Sequence, residues 1–122
     1  MTILEAITQA DLTRPNELEP ELKRSWLSTL DGQIHRELLQ RHAGEVPDFT
    51  GYDAQTPGSA RLLVPYPWDE LYVQYLVMRI DQENGELERY NNDAACFNRS
   101  WRAFAGDYVK THMPLGVDRL RF

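Results

Sequence analysis

Leu76-Val77-Met78-Arg79-Ile80-Asp81-Gln82-Glu83-Asn84-Gly85-Glu86-Leu87-Glu88-Arg89-Tyr90 is the stretch on which the fold turns. Within it Leu76, Ile80, Glu83, Leu87 and Tyr90 follow one another at steps of four and three. The same rhythm runs on through Ala94, Phe97, Trp101, Phe104 and Tyr108. Such spacing keeps one stripe of a helix facing a partner. Asn84-Gly85 interrupts it with two residues that favour turns. A break there would make a hairpin of two helices, but the ladder keeps its phase across the pair, which a turn normally shifts. The periodicity therefore predicts one long bent helix over about 68–111. At 1.5 Å per residue such a helix spans roughly 60 Å, more than a compact fold of this chain covers, so much of the stripe is expected to meet other subunits.

Boundaries outward from that stretch follow from local chemistry. Pro67 suits a first helical position, Asp69 and Glu70 favour the positive end of the dipole, and Leu71, Tyr72, Tyr75 and Leu76 open the apolar face. Lys110, Thr111 and His112, with Pro114 beyond them, mark the far end. Upstream, Leu22, Trp26, Leu27, Leu30, Ile34, Leu38 and Leu39 recur at threes and fours, predicting a helix over about 20–43 that Gly44 stops. Gly32 inside it costs up to about 1 kcal/mol against alanine, a cost either tolerated or used to admit another backbone. Thr2 and Glu5 stand at capping-box spacing beside Ile3, Leu4 and Ile7, predicting a short helix over 2–10. Pro15 and Asn16 make 11–19 a turn. Residues 44–66, broken by Gly44, Pro47, Gly51, Pro57 and Gly58, read as a long loop with a short strand over 61–64. The expectation is an all-α fold: one helical domain over 1–112, its long C-terminal helix packed on the 20–43 helix and a short N-terminal helix, then a tail over 113–122.

The 122 residues suit one domain with a thin core, at 42% hydrophobic composition. Net charge is −6, which repels a nucleic-acid backbone unless the charges are uneven. They are uneven: residues 68–93 hold seven acidic side chains against two arginines, and residues 94–122 hold five cations against two acids. No run reaches the length of about 18 apolar residues that a membrane span needs, and Met1-Thr2-Ile3-Leu4-Glu5 lacks the pattern of a signal peptide. A lone Cys96 beside Ala94, Ala95 and Phe97 reads as a small core residue in a reduced compartment.

Chemistry finds little footing. Asp31, His35 and His42 share one helix, but two histidines seven residues apart stand about 10 Å apart along its axis, too far for one metal ion. They read as solvated polar residues. No nucleophile elbow, glycine-rich phosphate loop or Cys-x-x-Cys pair is present. Asp81, Glu83, Glu86, Glu88 and Asp93 form an acidic run that reads as a solvated or intersubunit face, not as a catalytic pair. No catalysis, metal or cofactor is expected.

Arg89, Tyr90, Asn91 and Asn92 lie mid-ladder, either fixing register in a buried seam or forming an exposed polar stretch. Arg99, Arg102, Lys110, Arg119 and Arg121 interleave with Phe97, Trp101, Phe104, Tyr108 and Phe122. A head-to-tail contact between this basic region and the acidic one explains them without DNA, and repeated rotation of such a contact closes a ring. The candidate interface is Glu83, Arg89, Asn92, Arg99, Trp101, Arg119, Arg121 and Phe122. The buried stripe is expected to hold Trp68, Tyr72, Leu76, Leu87, Phe97, Trp101, Phe104 and Tyr108, with Trp101→Ala costing several kcal/mol.

Tyr66-Pro67-Trp68-Asp69-Glu70-Leu71-Tyr72, Ile80-Asp81 with Asn84-Gly85-Glu86, Arg89-Tyr90-Asn91-Asn92, and Phe97-Asn98 leading to Tyr108 and Thr111-His112 resemble small prophage proteins of Gram-positive bacteria. These are encoded among virion structural genes and are related to the head-tail connector (neck adaptor) proteins of tailed phages. The likeness covers residues from about 11 to 112 and departs at Gln82-Glu83, where aromatic or apolar residues are expected. It implies a helical virion subunit, made in the host cytoplasm, that forms a homo-oligomeric ring below the portal protein and contacts tail or neck proteins. DNA would pass its channel without sequence-specific binding. The alternative is a small prophage regulatory or inhibitory protein that binds a host protein through the same face.

Overall fold

The computed structural model describes residues 1–115, and Gly85 decides how their C-terminal half is arranged. Its backbone takes φ +71, a left-handed conformation open to glycine at little cost. With it the Gly85 N–H donates to the Gln82 carbonyl at 3.2 Å and the Glu86 N–H to that of Asp81 at 2.9 Å. These two bonds are the Schellman pattern that ends a helix. The expected single bent helix is therefore two: α3 (Leu71–Glu83) and α4 (Leu87–Thr111), folded back on each other as a hairpin. Phase persists across the link because each helix carries its own apolar stripe and the two stripes face each other.

That correction removes the reason for expecting a 60 Å seam, since the hairpin covers part of the ladder within one protomer. Tyr72, Leu76, Ile80 and Phe104 are buried. Trp68, Tyr90, Ala94, Phe97, Trp101 and Tyr108 are half-buried against the core. Leu87, expected on the buried stripe, is 69% exposed at the hairpin end, and Gln82 and Glu83 are exposed at the close of α3. A polar pair fits that place.

The expected all-α class holds. Capping by Thr2 and Glu5 opens α1 (Ile3–Thr13), with each side chain bonded to the other's backbone N–H at 3.1 and 2.9 Å. The helix runs past the expected end at 10. Asp11 is kept in it by Lys23 of α2 (Pro20–Glu37), whose Nζ lies 2.7 Å from the carboxylate although the lysine is buried. α2 stops short of 43, passing into a 3-10 turn over Leu39–Arg41. Gly32 meets the Phe49 ring and not another backbone, at 3.7 Å from the position of a Cβ. α3 is the central helix: it packs against α1, α2 and α4.

The 44–66 loop is largely irregular as expected, but no strand forms over 61–64; a single bridge links Arg61 to Thr2. In place of a ladder the Leu62 N–H donates to the Met1 carbonyl at 3.0 Å, the Leu63 N–H to Asp31 at 3.1 Å and the Val64 N–H to the Tyr72 hydroxyl at 2.8 Å. Leu62 and Val64 are thereby buried. Pro67 does not open the helix. It follows a cis peptide bond in the turn that precedes α3. After α4 the chain pairs with the segment beyond α2: the Ala43 N–H donates to Met113 at 2.8 Å and the Leu115 N–H to Arg41 at 2.7 Å. The start of the expected tail is therefore tied down.

Candidate assembly surface

α4 is a 25-residue helix, about 37 Å long at 1.5 Å per residue, yet Phe104 is its one buried residue. Among the described helices it packs only on α3. Its apolar side, Tyr90, Ala94, Phe97, Trp101, Phe104 and Tyr108, faces inward, with Phe97 against Tyr75 at 5.2 Å between ring centroids. The opposite side carries Glu88, Asn92, Ala95, Arg99, Arg102, Gly106 and Lys110 at steps of three and four, and all seven are exposed. This outward stripe is basic, nearly free of large apolar side chains and smooth, because Ala95 and Gly106 leave the backbone close to the surface. Arg99, Arg102 and Lys110 have no carboxylate within 4 Å among the described residues.

Of the interface residues expected from sequence, Asn92 and Arg99 lie on this stripe and Arg89 on its flank, exposed. Glu83 is exposed at the end of α3. Trp101 lies on the inward side of α4, half-buried beside Phe104. Arg119, Arg121 and Phe122 lie outside the described residues. Arg89, Asn91 and Asn92 form an exposed polar stretch, not a buried register element within the protomer. Cys96 is exposed, not core.

Two polar clusters depart from the sequence reading, and one of them takes Asp81, which is buried, and Asp93, which is half-buried, out of the acidic run expected to be a solvated or intersubunit face. Asp31, taken there as solvated, is fully buried. Its carboxylate accepts from the Tyr52 and Tyr72 hydroxyls and the Leu63 N–H. Burial pushes its pKa up against the pull of those donors. The same burial, and the Asp31 charge, push both tyrosines upward. The network ties the 44–66 loop to α2 and α3. Of the two histidines, His42 is buried and not solvated, its Nδ1 2.7 Å from the Leu38 carbonyl, whereas His35 stays part-exposed, its Nε2 2.8 Å from the Pro47 carbonyl.

The second cluster joins the residue that ends α1 to α3 and α4. Arg14 Nε lies 3.1 Å from Asp81, which is 1% exposed, and its Nη2 lies 3.5 Å from Asp93. One cation thus serves two carboxylates. Burial first, then the hydrogen bond and charge of Asp81, push Asp93 up to about 6, with Arg14 and Arg89 opposing. A carboxyl raised in the folded state binds its proton more tightly there than in the unfolded chain. Its stabilising contribution is present below about pH 4 and is lost as pH rises through 6. Asp93→Asn is accordingly expected to raise the melting temperature by more at pH 8 than at pH 5, and equal shifts at both would refute the assignment.

Among the described residues no group of three or more His, Cys, Asp or Glu is placed to hold a metal ion, and no helix is long and apolar enough to cross a membrane. The chain matches no protein-family model, no curated protein and no solved structure.

Proposed function

We propose that the protein is a structural subunit of a phage or prophage virion, a head-tail adaptor that assembles as a ring below the portal and acts by packing, without catalysis. The observation that carries this reading is the one-sided burial of α4. A helix of this length whose outer side bears cations with no carboxylate within 4 Å among the described residues is suited to a second surface of opposite charge. The resemblance to neck adaptors adds support from a separate direction. Its motifs fall on the turn into α3, on the Asn84-Gly85 stop and along α4, the parts that build the hairpin. The acidic hairpin end, with Glu83, Glu86 and Glu88 exposed, suits a wall past which DNA slides without adhering.

Co-expression with the portal protein of the same prophage tests the reading. Electron micrographs are expected to show an added ring of density on one end of the portal. Bare portals, with the chain instead captured by a host protein, would favour the prophage regulator.

A further inference from the structure

A ring built by rotation needs two different surfaces on each subunit that fit one another. The outward stripe of α4 supplies the basic one. The hairpin end is the weaker candidate for its complement: Glu86 borders a hollow with Leu87 and Tyr90, but that hollow offers one aromatic ring, and its second carboxylate, Asp81, is already paired with Arg14. A second place combines concavity, aromatic surface and negative charge. Between the C-terminal half of α4 and the loop before α3 lies a cleft of about 260 Å³ lined by Leu63, Trp68, Phe104 and Tyr108, with Glu45 and Asp107 also on its wall.

Two features of this cleft select an arginine. Trp68 lines the cleft and stacks on no other ring among the described residues, so it offers the cleft an aromatic surface of the kind that attracts a planar cation. Glu45 and Asp107 have no Lys, Arg or His nitrogen within 4 Å among the described residues. A guanidinium stacks on an aromatic face and presents its N–H fork to a carboxylate at once, which an ammonium does not do. The chain itself offers two guanidinium groups three residues apart on one helix face, Arg99 and Arg102, both exposed. Side chains at i and i+3 project together, and two cations match the two carboxylates.

We infer that this cleft receives Arg99 and Arg102 of a second copy of the chain, and that this contact is the head-to-tail joint of the ring. The inference rests on the ring reading and names the two halves of its interface. Phe104 and Tyr108, whose ring centroids lie 5.9 Å apart, hold the floor of the cleft in place. α4 thus contributes to both surfaces, the donor stripe and the acceptor wall.

Charge reversal on each side, followed by mixing, tests it. The full-length wild type, Glu45→Lys/Asp107→Lys, and Arg99→Glu/Arg102→Glu are compared by sedimentation velocity at low salt, alone and on a portal ring. All four positions are at least partly exposed, and circular dichroism verifies that the variants fold. Each double variant is expected to associate at least about tenfold more weakly than wild type. An equimolar mixture of the two is expected to regain association, because reversed cleft then meets reversed stripe. Variants that associate like wild type, a mixture that stays dissociated, or a wild type monomeric under both conditions would overturn the inference. Portal rings still decorated by the cleft variant would overturn it while leaving the adaptor reading intact. Restored mixing without portal binding would do the reverse.

Discussion

Asp31→Ala is expected to lower the stability of the folded chain by about 3–5 kcal/mol, a large share of the 5–15 kcal/mol typical of a domain. The carboxylate is fully buried and collects three donors, from Tyr52, Tyr72 and the Leu63 backbone. Removing it leaves two hydroxyls and an amide without their acceptor, and each buried orphan costs about 1–3 kcal/mol. Packing loss adds little, because Asp31 is small. Asp31→Asn keeps one acceptor oxygen but turns an NH2 group toward a hydroxyl, so a smaller loss is expected. Urea unfolding with an unchanged slope gives the comparison. A midpoint for the alanine variant close to wild type would show that the loop is held by its apolar residues, Leu62 and Val64, and not by the network.

Phe104→Ala is expected to cost about 3 kcal/mol or more, as truncation of a buried phenylalanine does. It is the buried residue of the C-terminal half of α4, at 3% exposure and with ring neighbours Trp101 and Tyr108 at 6.1 and 5.9 Å. Trp101 is half-buried, so the several kcal/mol expected of it from sequence shrinks to about 1–2 kcal/mol for Trp101→Ala by loss of buried area. The order of the two losses is the finding to check, by thermal or urea denaturation. Hydrogen exchange adds a second reading: Phe104→Ala should release amides along α4 before those of α3. Equal effects of the two substitutions would mean that the helix is held evenly along its length.

The sequence made the helical class legible because the cues were local. Thr2 and Glu5 stood at the spacing of the cap they form, and Leu22 through Leu39 marked the core side of α2. The hairpin is the alternative that the sequence offers at Asn84-Gly85 and that the periodicity argues against. Asn84-Gly85 is a helix stop of ordinary type, and the unbroken rhythm outweighed it, because periodicity reports which side of a helix is apolar and not whether two helices are joined end to end. Asp31 was visible as a charged residue on the apolar side, between Leu27, Leu30 and Ile34, and that placement was the signal for a buried network. The Arg14, Asp81 and Asp93 cluster had no such signal. Its members come from the residue that ends α1 and from α3 and α4, and only the fold brings them together. For the assembly surface, the basic character of residues 94–122 was legible from composition. The division of α4 into an inward aromatic side and an outward arginine side was legible from spacing, and Trp101, expected both on the buried stripe and at the interface, lies with the core-facing Phe97 and Phe104.

The proposed function requires this chain to join a ring through the outward side of α4. Sedimentation velocity of the full chain with and without a portal ring, for wild type and Arg99→Glu/Arg102→Glu in parallel, tests it most directly. The account predicts that wild type moves with the portal in a saturable, salt-sensitive manner and that the variant does not. A wild type that sediments as a monomer beside an undecorated portal would contradict it.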